Sequence, residues 1–481
     1  MRKMIVRKKM QKAYNSGQFE LAVRIANDNL ECPLNGELAK SIIIRDFWNQ
    51  RDFEKVIEFC NKWPEANMQD LRKRAENNLQ RTRRYKTSTA KIQTKIAQVE
   101  TKTSPSSEYQ KRDPTPDGED YANADYITSN VKLNWYQTAN RVWFRHPNGW
   151  VYWEMPEGYL IKDTHDSLIE LATDVLLRPW SPEVKLPLTK GRKFGHKLAL
   201  SYSGGMDSTA AAFLLPEDTI MAYNERSFTS MIDHRNALRL FEAWKEVLGR
   251  DVLKIPSNHE IIRATHGKQV GFSTDYASGV HLILLADFLD LGGIAFGVPI
   301  DNTWLQKGKK FREFDNSSHW KLWSNRFKEA GLELVLAINH ISEAGALRIC
   351  ERSPLIDSIN SCMRGDGKEG CGKCWKCFHK NGPLGRKMDP LSFEINKFLT
   401  DRPLRTAQHA LWAIQIQNLE DLVPDLSHHL ENDLSWWEKA YSPGLEIIPE
   451  KWRNGILDTT SDYLEWMDDF SKLENTDLFP N

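Results

Sequence analysis

The sequence predicts an α/β protein built around an open, mostly parallel, doubly wound sheet, with helical regions before and after it. Between residues 191 and 390, five short apolar runs read as buried strands: LALSYS, TIMAYN, DVLKIPS, GIAFGV and ELVLAI. Helical segments such as RNALRLFEAWKEVL and VHLILLADFLDL lie between several of them, the order expected of parallel strands joined by crossovers. The first run ends in a glycine turn that leads straight into the helix-forming stretch AAAFLL.

Length and composition frame this reading. At 481 residues the chain is too long for one core, and about three domains are expected. With 40% apolar and 27% charged residues it has the composition of a globular protein. The most apolar stretch, GVHLILLADFLDLGGIAFGV, carries Asp287, Asp290 and a Gly-Gly break, so it reads as a buried helix leading into a strand, and no membrane span is expected. The start, MRKMIVRKKMQKAY, is basic without an apolar stretch behind it. No secretory signal is expected, and a cytoplasmic location is.

The net charge of zero hides an asymmetry. Residues 1–112 hold 24 Lys/Arg against 13 Asp/Glu, whereas residues 420–481 hold 4 against 15. Two solvated surfaces of opposite sign account for this. A nucleic-acid arm at the basic end is the alternative, but no binding module is legible there, and nucleic acid is not the expected partner.

Residues 1–80 carry a weak repeat. SGQFELAVRIANDNL and NQRDFEKVIEFCNKW align Phe19 with Phe53 and Ala22 with Val56 at a period of 34, with Pro33 and Pro64 closing the segments. This resembles the tetratricopeptide pattern of paired helices and implies a surface for a protein partner. Two ordinary helical hairpins predict nearly the same shape. Cys32 and Cys60 fit there as small packed residues. Residues 81–125, polar and rich in Ser, Thr and Pro, read as a spacer and linker. VWFRHPNGWVYWEMPEGYLI reads as an aromatic hairpin turning at Pro147-Asn148-Gly149, opening a small β-containing module over 126–190. Its aromatics pack a core or line a ligand surface. Residues 391–481 read as helical and acidic, with Trp412, Trp436, Trp437, Trp452 and Trp466 and no assigned chemistry.

The glycine turn is SGGMDST, residues 203–209. At the end of a parallel strand, Gly204 and Gly205 let backbone N–H groups approach an anion. The hydroxyls of Ser203, Ser208 and Thr209 add donors, and the following helix adds its dipole. Neither a G-x-x-x-x-G-K-[ST] loop nor a G-x-G-x-x-G fingerprint is present. Asp207 repels an anion unless Mg²⁺ neutralises the phosphates or the carboxylate caps the helix, and both roles stay open.

The second motif is SCMRGDGKEGCGKCWKCFHKNG. Cys362, Cys371, Cys374 and Cys377 follow a C-x8-C-x2-C-x2-C spacing, a soft tetrahedral set that favours structural Zn²⁺, with a redox pair or an iron–sulfur cluster as alternatives.

SGG-x-DS after a buried strand resembles the PP-loop ATP pyrophosphatases. Together with SC-x8-CGKC-x2-C, it resembles the 7-cyano-7-deazaguanine synthase family within them, over about residues 195–390. The resemblance implies a Rossmann-like (HUP) sheet, ATP held by Ser203, Gly204, Gly205, Met206, Asp207, Ser208 and Thr209, Mg²⁺ with the phosphates, and Zn²⁺ on the four cysteines. It implies that a small carboxylate substrate is adenylated with release of pyrophosphate and that ammonia or an amine then displaces AMP. No residue is given a covalent role; Asp207 and Ser203 are the catalytic candidates. An amidotransferase acting on a surface-polysaccharide sugar is an alternative, and a non-catalytic nucleotide-binding scaffold is another. This chain departs from the family in three places. Trp375-Lys376 stand where an acidic residue is usual, AYNERSF replaces the YGQ-type segment, and the family's late lysine has no counterpart in AINHISEAGALRIC, where Ser342 or Glu343 stands. QKGKKFR offers Lys307, Lys309 and Lys310 as substitutes, and reads equally well as an exposed basic loop.

Overall fold

The computed structural model describes residues 2–15, 19–33, 35–49, 53–69, 71–73, 75–76, 131–146, 149–178, 186–226, 235–259, 272, 275–362, 364 and 369–478. The chain divides into two units, Met1–Asp113 and Pro114–Asn481. The expected linker over 81–125 and the Pro147-Asn148 turn lie outside the described residues.

The first unit contains α1 (Arg2–Asn15), α2 (Phe19–Asn27), α3 (Gly36–Asn49) and α4 (Phe53–Lys62), each packed on the next. The 34-residue spacing has a structural counterpart. Phe19 and Phe53 open α2 and α4, and Ala22 and Val56, three places on, are fully buried. Small residues let the helices approach: Ala13, Ala22, Ala26 and Ala39 share a core with Met10, Ile42 and Ile43. Cys60 is buried, with its thiol directed to the carbonyl of Met68.

The second unit is a mixed α/β structure on one eight-stranded, mostly parallel sheet. Its strands are β1 (Trp135–Thr138), β2 (Arg141–His146), β3 (Gly149–Glu154), β4 (Lys197–Ser201), β5 (Ile220–Arg226), β6 (Val252–Ser257), β7 (Leu291–Phe296) and β10 (Glu333–Leu336), in the order β1-β2-β3-β6-β5-β4-β7-β10, while β8 (Leu305–Gln306) and β9 (Lys310–Phe311) form a separate antiparallel pair. The five runs read from the sequence are β4, β5, β6, β7 and β10, and these are the strands that pair in parallel. Their central residues are mostly apolar because parallel sheets are covered on both faces; all six residues of β7 are buried. The chain steps outward from β4 through β5 to β6, then returns to the other side of β4 with β7 and β10. Strand order thus reverses between β4 and β7, and ligand crevices open outside the carboxyl ends of strands at such a reversal.

The aromatic hairpin extends this sheet. β3 pairs antiparallel with β6 at Trp153–Ser257. Beyond it, the side chain of Asn258 takes the place of backbone: its Oδ1 accepts from Tyr152 N and its Nδ2 donates to Trp150 O, both at 2.8 Å. Period-two alternation sends the aromatics to opposite faces. Trp135, Phe144 and Trp153 join the main core, while Trp143, Trp150 and Tyr152 form a cluster on the other face. These rings serve packing.

Residues 391–478 are equally continuous with the core. Trp412 and Trp437 are fully buried, and the helix Glu450–Tyr463 packs against the helix Met206–Leu214 that follows β4. Among the described residues, no helix is long and apolar enough to cross a membrane.

Among the buried histidines of this unit are His259, His281, His340 and His409. Burial pushes them down to about 3, 4, 3 and 4 respectively. They stay neutral when folded, whereas the unfolded chain protonates them below its ordinary histidine value. Stability is therefore full above about pH 6.5 and lost as pH falls toward the folded values. Each histidine contributes about 1.4 kcal/mol per pH unit in that window. The carboxyls of half-buried Asp207 and buried Asp301, pushed up by desolvation, act in the opposite sense but are fewer. The thermal unfolding midpoint of the full chain is expected to fall steadily from pH 7 to pH 5, and an unchanged midpoint would contradict this.

Candidate functional site

The carboxyl end of β4 runs through Tyr202 and Ser203 into Gly204, whose φ is +72°. A side chain there would be strained by the backbone and would also meet Ala237 Cβ at 2.8 Å. Gly205 is the N-cap of the loop helix, Met206–Leu214. The loop is closed by its own hydroxyls. Ser203 Oγ and Ser208 Oγ lie 2.9 Å apart, Gly205 N donates to Ser203 Oγ, and Ser208 Oγ donates to Gly205 O. Across the strand-order reversal, Gly297 follows β7. A Cβ on it would stand 2.9 Å from both Asp207 O and Ser208 Cα, so only glycine lets the first turn of the loop helix sit this close.

The loop forms one wall of a cavity of about 520 Å³, within the range of small-molecule sites. Ser203, Gly204, Gly205, Asp207 and Ser208 line it. The other two residues of the motif do not: Met206 is in the core, and Thr209 Oγ1 turns away to Tyr202 OH at 3.0 Å. Thr209 braces the loop from behind, because Tyr202 OH also accepts from Trp244 Nε1. The opposite walls come from Tyr223 and Asn224 of β5, Asn236, Phe272, and Trp375 and Lys376 of the cysteine segment. Asn224 and Asn236 are more than nine-tenths buried. Both polar atoms of the Asn224 amide, and Asn236 Oδ1, have no hydrogen-bond partner among the described residues. Buried polar groups are costly to leave unpaired, so these atoms suit a polar ligand.

The floor of the cavity holds a lysine that sequence reasoning missed. Lys380 Nζ stands 2.7 Å from Asp207 Oδ1 and 2.8 Å from Glu343 Oε2. Burial disfavours its charge, but the two carboxylates outweigh that and hold Lys380 firmly protonated. Burial likewise pushes Glu343 up, and the Lys380 charge reverses this and keeps it ionised. Behind Glu343, Asp301 Oδ2 accepts from Glu343 N at 2.8 Å. Burial, then the Glu343 charge, holds the Asp301 carboxyl well above the usual range. Asp207 is the member that faces the cavity, with a third of its side chain exposed. Lys307, Lys309 and Lys310 do not line the cavity; Lys310 is exposed and pairs with Asp477.

The four cysteines come together as one group, every sulfur within 4.8 Å of the others. The Sγ separations are 3.8 Å for Cys362–Cys374 and for Cys371–Cys377, and 3.6 Å for Cys374–Cys377. Four thiolates about 2.3 Å from a tetrahedral ion stand about 3.8 Å apart, so the set fits such an ion without rearrangement. Backbone amides of Arg364 and Cys371 donate to Cys362 Sγ, Gly372 N to Cys377 Sγ and Lys373 N to Cys371 Sγ, all of which favours thiolate. This cluster could hold a metal ion such as zinc. Glu343, His379 and His409 also offer ligand atoms within 4.8 Å of one another, but the carboxylate is already engaged by Lys380 and His409 Nε2 lies 3.1 Å from the carbonyl of His379.

Residues 322–475 match DUF6395, a family of unknown function. The match takes in the cysteines, Glu343, Lys380 and His409 and leaves the Ser203–Thr209 loop outside. No curated protein and no solved structure matches the chain.

Two outcomes follow from this geometry. Lys380→Met leaves Asp207 and Glu343 facing each other without a cation, and a loss of about 3–5 kcal/mol is expected in urea unfolding, with part regained by adding Glu343→Gln. Elemental analysis of the purified chain is expected to find one zinc on the cysteines, lost in Cys374→Ser; brown, iron-containing protein would overturn zinc.

Proposed function

We propose that the chain is an ATP-dependent ligase of the PP-loop type, with a Rossmann-like sheet as its scaffold. It activates a substrate carboxylate by adenylation and then forms a C–N bond. The observation that carries this reading is the glycine loop at the strand-order reversal with a buried, protonated lysine beneath it. Two serine hydroxyls, the N-terminus of the loop helix and an ammonium gather at one end of the cavity, as a polyphosphate requires. The unpaired Asn224 and Asn236 groups supply donors and acceptors of the kind that read the edge of a nucleobase.

In the reaction, a substrate carboxylate oxygen attacks the α-phosphorus, and the bond to the bridging oxygen of the β-phosphate breaks. Pyrophosphate leaves with that electron pair. Ammonia or an amine then attacks the acyl carbon of the adenylate, the C–O bond to AMP breaks, and the nitrogen sheds a proton. Such chemistry is governed by positioning and charge neutralisation. Ser203 and Ser208 orient the phosphates, Lys380 offsets charge gathering on the leaving group, and Asp207 is the exposed carboxylate able to take Mg²⁺. A magnesium ion supplies further charge neutralisation when it arrives with the nucleotide. The cysteine cluster, with zinc, braces the wall that carries Trp375 and Lys376. A site without a lysine would favour the scaffold alternative; the ammonium of Lys380 in the cavity supports the enzyme reading instead. A deazapurine acid is the first substrate to try, and a sugar carboxylate the second.

The test is AMP and pyrophosphate formation from ATP and Mg²⁺ across a panel of carboxylates that includes 7-carboxy-7-deazaguanine, with an ammonium salt present. Substrate-stimulated release is expected, reduced about 100-fold in Asp207→Ala. Absence of AMP with every carboxylate would leave the scaffold reading in its place.

A further inference from the structure

The loop and the cysteine segment meet directly at Ser361 and Lys380, and indirectly through Asn236. Met206 N, at the start of the loop helix, donates to Ser361 Oγ at 3.0 Å, and Ser361 immediately precedes Cys362. Asn236 Nδ2 donates to the carbonyl of Cys362, and the next residue, Ala237, is the one that backs Gly204. Lys380 lies in the wide helical turn Cys377–Asn381, whose last residue donates from Asn381 Nδ2 to Cys377 Sγ at 3.5 Å. The cysteine segment therefore supplies both the hydroxyl on the helix N-terminus and the ammonium under Asp207. Its sequence, SCMRGDGKEGCGKCWKC, is too polar and glycine-rich to be held by packing alone, so a bridging ion would fix its shape.

We infer that metal on the four cysteines sets the anion affinity of the Ser203–Ser208 loop, the two sites being thermodynamically linked through Ser361 and Lys380. The inference rests on the reading of that loop as a phosphate site. Linkage is reciprocal: an anion that binds better to the metal-bridged form must strengthen metal binding by the same factor. A cluster that merely stabilises the fold is coupled to the anion only through global unfolding, so a variant that stays folded and zinc-loaded separates the two cases.

The probes are zinc and inorganic tripolyphosphate, with the full chain. Zinc affinity, measured by competition with a chromogenic chelator, is expected to rise about tenfold with saturating tripolyphosphate. Calorimetric binding of tripolyphosphate is expected to weaken by the same factor once zinc is removed. Because the zinc-free chain can lose its fold, Ser361→Ala in the zinc-loaded chain carries the same test. It is expected to retain one zinc, bind tripolyphosphate more weakly and show a smaller effect of tripolyphosphate on zinc affinity. Lys380→Arg should keep part of the coupling that Lys380→Met abolishes. Zinc affinity indifferent to bound tripolyphosphate overturns the linkage while leaving the phosphate site standing. A zinc-loaded chain that binds neither tripolyphosphate nor ATP overturns the phosphate reading and the linkage with it.

Discussion

The ion triad of Asp207, Lys380 and Glu343 is the contact on which the site depends. It ties the loop helix, the helix beginning at Glu343 and the turn after the last cysteine to a single ammonium. A buried charge without a partner is costly, whereas a satisfied one specifies a unique arrangement more than it adds stability. The triad therefore acts as a registration point. The loop helix cannot slide along β4, nor the cysteine segment lift away, without exposing an unpaired charge in the interior.

Around that point the architecture divides its labour. The parallel strands provide a rigid apolar floor, and the reversal of strand order leaves the crevice open. The three antiparallel strands cover the far edge of the parallel set, held there by the Asn258 side chain. The C-terminal helices close the underside: Arg348 bonds both oxygens of Glu438, and His409 stands beside Glu343. The acidic final region thus contributes to the environment of the triad as well as to the surface.

Features carried by consecutive residues were legible in the sequence. The five parallel strands are apolar runs, the helix Arg235–Leu248 coincides with the segment RNALRLFEAWKEVL, and the glycine loop and the cysteine spacing are local patterns. The missing parts are those that only tertiary structure brings together. Glu343 stood out only as occupying a place where a lysine was expected, and Lys380 was hidden beside a more conspicuous motif. Their pairing depends on two segments that meet only when β10 and the cysteine turn are in place. Thr209 belonged to the motif by sequence, yet its hydroxyl faces Tyr202, because a helix presents its fourth residue to a different side from its second and third. The place of the aromatic hairpin in the sheet was not legible because its partner strand, β6, lies more than a hundred positions further on.

The separation of the triad's members in the chain has a consequence for biosynthesis. Asp207 and Lys380 are 173 positions apart. At about 5–20 residues per second, the loop emerges from the ribosome roughly 10 to 35 seconds before its cation. During that interval β4 and the loop helix can form, but their carboxylate has no counter-charge and the cavity no floor. A nascent chain therefore carries Asp207 without its ammonium until the cysteine turn arrives, and the triad closes only when the domain is nearly whole.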